Sequence, residues 1–441
     1  MAAMKTSCIV VAAFLGVAFH PGIAAPITVE IDTDRTKLLN TERNCVVQVQ
    51  LKGGEAPSSK KRLPLNVSLV LDRSGSMGGA KMERAKQAAA AAIDQLDRED
   101  TVSVVIYDDE VEVLVPPQKV TDPEAIKSRI YGVSVGGSTA LHGGVEEGAK
   151  QIRSRMEGDR LHRIILLSDG LANVGPSSPG DLSKLGRALR KEDIAVTTIG
   201  LGDDYNEDLM TALAEASHAN YYYVQDPEKL PGIFAEELRA AKSVVARGLK
   251  IKITLPEGVK AIEVLGEPDL KFKNNTLEID LAEFYARQQR RFLIACEAPE
   301  GEKSQSIARV TVEAVDFEGV SVKLTGEAKV ERTTDSDAAE KSVNRDVAAG
   351  VAITRNRLAK AEAVALADEG KADEAVQVLR RQAITNTASA SALPAEAGAA
   401  LAVENEALEA TARELEQKRS LESSSRKRIQ YENYQDKMNK R

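Results

Sequence analysis

Apolar and polar positions change their spacing several times along the 441-residue chain. Between Pro64 and Ser243, runs of successive apolar residues alternate with stretches in which apolar residues recur every three or four positions. The first pattern is typical of strands buried on both faces, and the second is typical of helices that pack one face. We therefore predict an α/β domain over residues 62–245, with a mostly parallel, doubly wound sheet and one antiparallel hairpin at its edge.

Strict alternation of apolar and polar residues occurs on both sides of this predicted domain. Residues 246–333 contain several alternating segments separated by turns such as Pro256-Glu-Gly258, a pattern that predicts an antiparallel β-sandwich. The N-terminal β segment, residues 26–61, alternates in the same way but is too short to fold alone. We expect its strands to join the sandwich, so that the α/β domain is inserted between the two parts.

The remaining residues, 334–441, are rich in alanine and predict an α-helical C-terminal region. One helix is expected over Ser336–Glu369, a second over Asp373–Gln382, a linker over Thr385–Pro394 and a further helix over Ala395–Arg419. The first two resemble a single tetratricopeptide-type hairpin. A plain packed hairpin is the interpretation we favour, because one such repeat has no neighbours on which to stack.

Oxygen-bearing side chains follow two of the predicted buried strands and one glycine-rich loop. Asp72, Ser74 and Ser76 come at the carboxyl end of the first strand of the α/β domain, and Asp169 ends a later one. Thr139 follows a Gly-Gly-Ser sequence that leads into a helix. In open α/β sheets, ligands bind just beyond the carboxyl ends of the strands. Carboxylate and hydroxyl oxygens suit a hard divalent cation, so these five residues are our candidate metal ligands.

These five residues, in this order, resemble the metal-ion-dependent adhesion site of the von Willebrand factor type A (VWA) family. The resemblance covers roughly Pro64–Ser243, and all five motif positions are filled. It implies a Rossmann-like fold that holds Mg²⁺, or Mn²⁺ or Ca²⁺, and a cation that bridges to an Asp or Glu of a partner protein. The expected function is thus a metal-dependent module for adhesion or complex assembly, and not an enzyme.

Two alternatives are also compatible with the sequence. The first is a metal-dependent hydrolase using Asp72, although phosphatases with an aspartyl nucleophile have a second acid where this chain has Ser74. The second is a scaffold that binds its partners through the helical C-terminal region. Nucleic-acid binding is not expected, because the net charge is −8 and tryptophan is absent.

The first residues and the cysteines indicate an exported protein. Met1–Ala25 has a lysine near its start, a short apolar run and small residues at its end. This pattern predicts a cleaved secretory signal, with an uncleaved anchor as the alternative, and a periplasmic or extracellular location. No other stretch reaches the length of a membrane span. Cys45 and Cys296 each fall on the apolar face of a predicted strand. Either a disulfide or two buried thiols would fit an oxidising compartment.

Overall fold

The computed structural model describes residues 25–56, 62–157, 159–300, 304–390, 393 and 395–438. The predicted signal segment lies outside the described residues except for its last residue. Contacts divide the chain into two compact units. One unit comprises Pro57–Val244, and the other combines the residues up to Ala56 with Val245–Arg441.

The strands and helices of the described residues are numbered here in chain order. The strands are β1 (Ile27–Thr33), β2 (Lys37–Leu39), β3 (Asn44–Gly53), β4 (Leu65–Asp72), β5 (Thr101–Tyr107), β6 (Val111–Lys119), β7 (Leu161–Ser168), β8 (Ile194–Leu201), β9 (Tyr221–Val224), β10 (Val244–Thr254), β11 (Lys260–Val264), β12 (Thr276–Tyr285), β13 (Gln289–Glu297), β14 (Ser304–Asp316) and β15 (Ser321–Thr333). The helices are α1 (Ala80–Asp94), α2 (Pro123–Tyr131), α3 (Leu141–Arg153), α4 (Pro179–Arg190), α5 (Glu207–Ala216), α6 (Leu230–Ala241), α7 (Ser336–Lys341), α8 (Arg345–Asp368), α9 (Ala372–Ala390), α10 (Ala395–Lys418) and α11 (Ser423–Met438).

The unit Pro57–Val244 contains a six-stranded sheet in the order β6-β5-β4-β7-β8-β9. Neighbouring strands are parallel except for β6, which pairs antiparallel with β5. Every residue of β4, β7 and β8 is buried, as expected for strands covered on both faces. The predicted parallel α/β sheet with one antiparallel edge is therefore confirmed.

The order of the strands reverses between β4 and β7. From β4 the chain continues outward to β5 and β6, and β7 then begins the other half of the sheet on the opposite side of β4. The loops that follow β4 and β7 leave the same edge of the sheet in opposite directions and open a crevice there. This crevice is the position of the candidate metal ligands.

The second unit contains two further sheets. One has the order β1-β3-β13-β11, and the other has the order β12-β10-β14-β15-β2. Apolar side chains from both sheets, including Val47, Ile251 and Val310, form one buried cluster. Strand β3 pairs antiparallel with β13, so strands from before and after the α/β unit lie in one sheet. The hypothesis that the α/β domain is inserted between two parts of the β structure requires such a pairing. The assignment of these parts to a separate sandwich domain stays a prediction.

Cys45 and Cys296 are direct partners in the register of β3 and β13. Both are buried and are free thiols in this structure. Of the two alternatives that the sequence left open, a disulfide or two buried thiols, the structure has the two buried thiols. Burial raises the pKa of the Cys45 thiol to about 12 and raises that of Cys296 as well. Both side chains are therefore expected to stay protonated and unreactive in the folded chain.

The helical region differs from the prediction at two boundaries. The prediction of a single helix over Ser336–Glu369 is wrong, because the helix is interrupted between α7 and α8. At the break, the Asn344 amide donates to the Asp34 carbonyl (2.8 Å), and the Lys37 amide donates to Ser342 Oγ (3.0 Å). The linker expected from Thr385 is also wrong, because α9 continues to Ala390. None of the described helices is both long and apolar enough to cross a bilayer.

Candidate metal centre

The five candidate ligands lie on three loops at the carboxyl edge of the six-stranded sheet. Asp72 is the last residue of β4, and Asp169 directly follows β7. Ser74 precedes and Ser76 lies within a short 3₁₀ turn, Gly75–Met77, that follows β4. We refer to Asp72, Ser74, Ser76, Thr139 and Asp169 together as the Asp72 site.

The Asp72 carboxylate is fully buried and held at both oxygens. Its Oδ1 accepts from the Ser74 backbone amide (2.8 Å), and its Oδ2 accepts from Ser168 Oγ (2.6 Å). Burial nevertheless raises the pKa of Asp72 to about 6, and the nearby Asp169 carboxylate adds to this effect. The hydrogen bonds thus compensate only partly for desolvation.

Asp169 is also fully buried, and each of its oxygens has a partner. Ser76 Oγ donates to Oδ1 (2.7 Å), and the Lys81 ammonium donates to Oδ2 (2.5 Å). Ser76 Oγ is in turn 3.2 Å from Ser74 Oγ. Lys81 belongs to the first turn of α1, so this helix contributes a positive charge directly behind the second carboxylate of the site.

The glycine-rich loop that carries Thr139 is joined to the loop after β4 by backbone hydrogen bonds. The Gly136 amide donates to the Arg73 carbonyl (2.7 Å), and the Gly75 amide donates to the Gly137 carbonyl (3.1 Å). A Cβ at Gly136 would lie 2.5 Å from an Asp108 carboxylate oxygen, so a side chain would not fit at this position. The close approach of the two loops brings Thr139, which is almost fully buried, to the Asp72 site.

Gly170 marks the space on which the hydroxyl groups converge. A Cβ built at this residue would lie 2.9 Å from Thr139 Oγ1, 3.5 Å from Ser76 Oγ and 3.7 Å from Ser74 Oγ. Three hydroxyl groups from two loops therefore surround a space that a single methyl group would fill. The structure thus brings Ser74, Ser76 and Thr139 together, and Asp169 joins them through its hydrogen bond with Ser76.

The donor set of the site consists of two carboxylates and three hydroxyls. Among the described residues, no group of three or more His, Cys, Asp or Glu side chains is placed to hold a metal ion. Soft or borderline metals that prefer sulfur or imidazole are therefore poorly served here, whereas oxygen donors fit Mg²⁺, Mn²⁺ or Ca²⁺. The donor atoms present therefore fit a hard divalent cation in their chemistry.

Three residues that the sequence analysis did not single out also support the site. Ser168 donates to Asp72, Lys81 donates to Asp169, and Asn173 Oδ1 accepts from the Thr139 amide (2.9 Å). Ser168 directly precedes Asp169, so its place at the end of a buried strand was a usable signal. Lys81 and Asn173 gave no such signal, because their contacts depend on how α1 and the loop after β7 pack.

Comparisons with known proteins agree with the α/β architecture. Residues 66–236 match the family model of the von Willebrand factor type A domain. An uncharacterized protein of Synechocystis sp. is 32% identical over 190 residues, which cover 43% of this chain and 44% of that protein. Human inter-alpha-trypsin inhibitor heavy chain H3 is 24% identical over 201 residues, covering 43% of this chain and 23% of that protein. The chain thus spans less than half the length of these curated relatives.

Solved structures share the fold over nearly the whole chain. A von Willebrand factor type A protein from Catenulispora acidiphila has a TM-score of 0.71 at 19% identity and covers 95% of this chain and 98% of its own. The ArnB paralog VWA2 from Sulfolobus acidocaldarius has a TM-score of 0.60 at 18% identity, with coverages of 94% and 99%. At such identities the likeness concerns the fold. Together with the family match, it supports the assignment of residues 66–236 to the VWA domain family.

Proposed function

We propose that the Asp72 site binds a divalent cation, Mg²⁺ or the chemically similar Mn²⁺ or Ca²⁺, and that this cation bridges to an Asp or Glu of a partner protein. The observation that carries the proposal is the convergence of the Ser74, Ser76 and Thr139 hydroxyls on the space beside Gly170. Asp72 and Asp169 supply the negative charge next to this space. The chain would act as a metal-dependent protein-binding module for adhesion or complex assembly.

The charges of the site support the binding of a further carboxylate. Two acids balance a divalent cation, the other donors are neutral, and Lys81 already neutralises part of the charge of Asp169. A cation held in this way stays electrophilic and attracts an acid from outside. Extra acids at Ser74 and Ser76 would instead repel the incoming carboxylate.

The site also opens towards the surface. Asp72, Ser74, Thr139 and Asp169 are buried at its floor, whereas Ser76 is exposed at its rim. The neighbouring Leu171 has 58% of its surface exposed, so an apolar side chain lies beside the polar site. A partner that presents an acid next to an apolar residue would contact both features. This arrangement favours recognition of a protein surface over enclosure of a small substrate.

We propose no catalytic role for the site. A serine nucleophile needs an adjacent base. Ser74 Oγ contacts Ser76 Oγ. The carboxylate next to Ser76 Oγ, that of Asp169, is already paired with the Lys81 ammonium. The imidazoles of the described residues contact other groups: His142 is 3.4 Å from Glu146, His162 lies near Asn66, and His218 lies near Arg190. Metal-dependent turnover of a phosphate ester by the purified chain would contradict this part of the proposal.

We also propose that the protein acts outside the cytoplasm, in the periplasm or extracellularly. This location rests on the pattern of Met1–Ala25, which resembles a cleaved secretory signal. Fractionation of cells that express the full chain, with amino-terminal sequencing of the exported form, tests the location. Recovery of the uncleaved chain from the cytoplasm would contradict it.

Capture of partners from envelope extracts tests the function. The wild-type chain should retain a protein in the presence of Mg²⁺ and release it on addition of a chelator. Asp72→Ala should fail to retain the same protein, while Asp94→Ala, which changes an exposed acid of α1, should behave as wild type. If Asp72→Ala retains the partner regardless of chelator, binding through the helical C-terminal region is the better account.

A further inference from the structure

A second polar site lies in the unit that contains the four-stranded sheet, separate from the Asp72 site. A cavity of about 730 Å³ is lined by β1, β3 and β13, by the residues between α7 and α8, by α8 itself and by α10. This volume is within the range of small-molecule binding sites. Its floor is the face of the four-stranded sheet opposite the buried apolar cluster.

The floor carries polar side chains that are buried without complete hydrogen bonding. Gln48 is only 2% exposed, and within the described residues its Oε1 has no hydrogen-bond partner. The Nε of Arg291 is likewise without a partner in the described part of the chain. Both residues line the cavity. Because burying such groups unpaired costs free energy, a ligand that pairs with them would be stabilised.

The register of the strands sets these groups in rows across the sheet. Glu30 of β1 is opposite Gln50 of β3, and Gln50 is opposite Arg291 of β13. Asp32 is opposite Gln48 in the adjacent row of the same face. The order across the first row is therefore acid, amide, guanidinium, with Glu30 and Arg291 about 10 Å apart because two strand spacings separate them. Asp32 lies two residues further along β1, so its diagonal distance to Arg291 is about 12 Å.

The charged groups that line the cavity differ in how far a partner of opposite charge compensates them. Glu30 pairs with Lys52 (2.7 Å), and two further acids, Asp32 on the floor and Asp346 of α8, line the cavity. Burial and the neighbouring Glu30 raise the pKa of Asp32. Burial lowers the pKa of Arg291, and the nearby Asp346 carboxylate opposes this shift only in part. A cationic group of a ligand near Asp32 would stabilise this carboxylate, and an anionic group near Arg291 would stabilise its guanidinium.

We propose that this cavity binds a short peptide of about three residues with free ends, its ammonium at Asp32, its amides at Gln48 and Gln50, and its carboxylate at Arg291. Three extended residues span about 10–11 Å, close to the roughly 12 Å that the register sets between Asp32 and Arg291. Side-chain amides in the middle strand supply both donors and acceptors for a peptide bond. The site is independent of the proposed metal centre and needs no cation.

Calorimetric titration of the full chain with trialanine tests the proposal. We expect saturable binding by the wild type, and affinities about tenfold or more weaker for N-acetyl-trialanine and for trialanine amide, each of which lacks one charged end. Free alanine should bind more weakly than either. Absence of saturable trialanine binding at millimolar concentration would overturn the proposal, as would equal binding of the blocked peptides.

Variants assign the two ends. Arg291→Gln should weaken trialanine about tenfold but leave trialanine amide unchanged, since the amide has no carboxylate to lose. Arg309→Gln makes the same change at an exposed strand position and should bind as wild type. Ala349→Leu, which fills the cavity without changing charge, should abolish binding and provides a second route if Arg291→Gln does not fold. Trialanine binding that survives both Arg291→Gln and Ala349→Leu would place the peptide elsewhere and overturn the proposal.

Discussion

Gly170 borders the space between the hydroxyl groups of the Asp72 site. Its φ lies outside the left-handed region, so alanine is compatible with the backbone at this position. The added methyl group would meet the hydroxyls of Thr139, Ser76 and Ser74 and no backbone atom among its nearest neighbours. A substitution of Gly170 by alanine should therefore fill the binding space without disrupting the fold.

We predict that Gly170→Ala lowers the affinity for Mn²⁺ at least about tenfold, because the methyl group occupies the space that oxygen ligands need around the cation. The free energy of unfolding without metal should change by less than about 1 kcal/mol, because the nearest atoms to the added methyl group are side-chain hydroxyls and not backbone. Gly180→Ala is the matched control, since its Cβ would have a single neighbour at 3.7 Å. Unchanged Mn²⁺ affinity in Gly170→Ala would place the cation elsewhere.

Lys81 contributes to the charge of the site through its ion pair with Asp169. Its ammonium is 2.5 Å from Asp169, so it competes electrostatically with a cation for that carboxylate. We predict that Lys81→Met raises the affinity for Mg²⁺ by about tenfold, because a positive charge near the cation is removed. Lys150→Met, at an exposed position of α3, should leave the affinity unchanged. A lower affinity in Lys81→Met would mean that Lys81 acts mainly by orienting Asp169.

At the level of single residues, the sequence was informative where chain order fixes position. Asp72 and Asp169 end neighbouring parallel strands, and such strands deliver their carboxyl ends to one edge of a sheet. Asn173 and Lys81 could not be predicted, because their contacts depend on the packing of a loop and a helix against that edge. The same limit applies to Gln48 and Arg291, whose common face follows from strand register.

Among the secondary-structure elements, β7 and α6 are linked by a buried ion pair. Arg163 of β7 and Glu237 of α6 are almost fully buried, and Arg163 Nη1 donates to Glu237 Oε1 (2.8 Å). Glu237 also accepts from Thr197 Oγ1 (2.6 Å) and from Asn220 Nδ2 (2.5 Å). One carboxylate thus accepts hydrogen bonds from several parts of the α/β unit, and its removal would take a buried acceptor away from each of these donors.

We predict that Glu237→Ala lowers the free energy of unfolding by about 3–5 kcal/mol, because it removes the acidic member of a buried ion pair. Chemical denaturation of the full chain, followed by circular dichroism, measures this change. Glu228→Ala, at an exposed acid shortly before α6, should cost less than about 1 kcal/mol. Equal stabilities of the two variants would contradict the assigned role of Glu237.

Helix boundaries were the elements least accessible from the sequence. The break between α7 and α8 lies in an alanine-rich stretch that has no glycine or proline at residues 341–345. It is stabilised by contacts with residues 34–37, about 300 positions away in the sequence. Local chemistry does decide the start of α2, where Pro123 is the first helical residue and Asp122 accepts from the Ala125 amide (3.1 Å).

At the scale of the whole molecule, the chain divides into two compact units, one of which is inserted into the other. The Asp72 site lies entirely within Pro57–Val244, and the polar cavity lies entirely within the other unit. A ligand stabilises the part of the structure that holds it, by mass action on the folded state. The two proposed sites should therefore have separable effects on thermal unfolding.

We predict that Mg²⁺ raises one of two calorimetric unfolding transitions of the full chain by several degrees and leaves the other in place. The shift follows from selective binding to the folded α/β unit. Differential scanning calorimetry with and without chelator measures it, and Asp72→Asn should remove the shift. Two transitions that rise together in Mg²⁺ would contradict a cation site confined to this unit.

The central claim is that side chains from three loops hold a divalent cation, and electron paramagnetic resonance of Mn²⁺ tests it most directly. Titration of the wild-type chain should remove a single equivalent of free Mn²⁺ from the spectrum, and excess Mg²⁺ should return it. Asp72→Asn should leave the Mn²⁺ free, whereas Asp94→Asn should bind as wild type. Equal Mn²⁺ binding by the wild type and Asp72→Asn, or none by the wild type, would contradict the account.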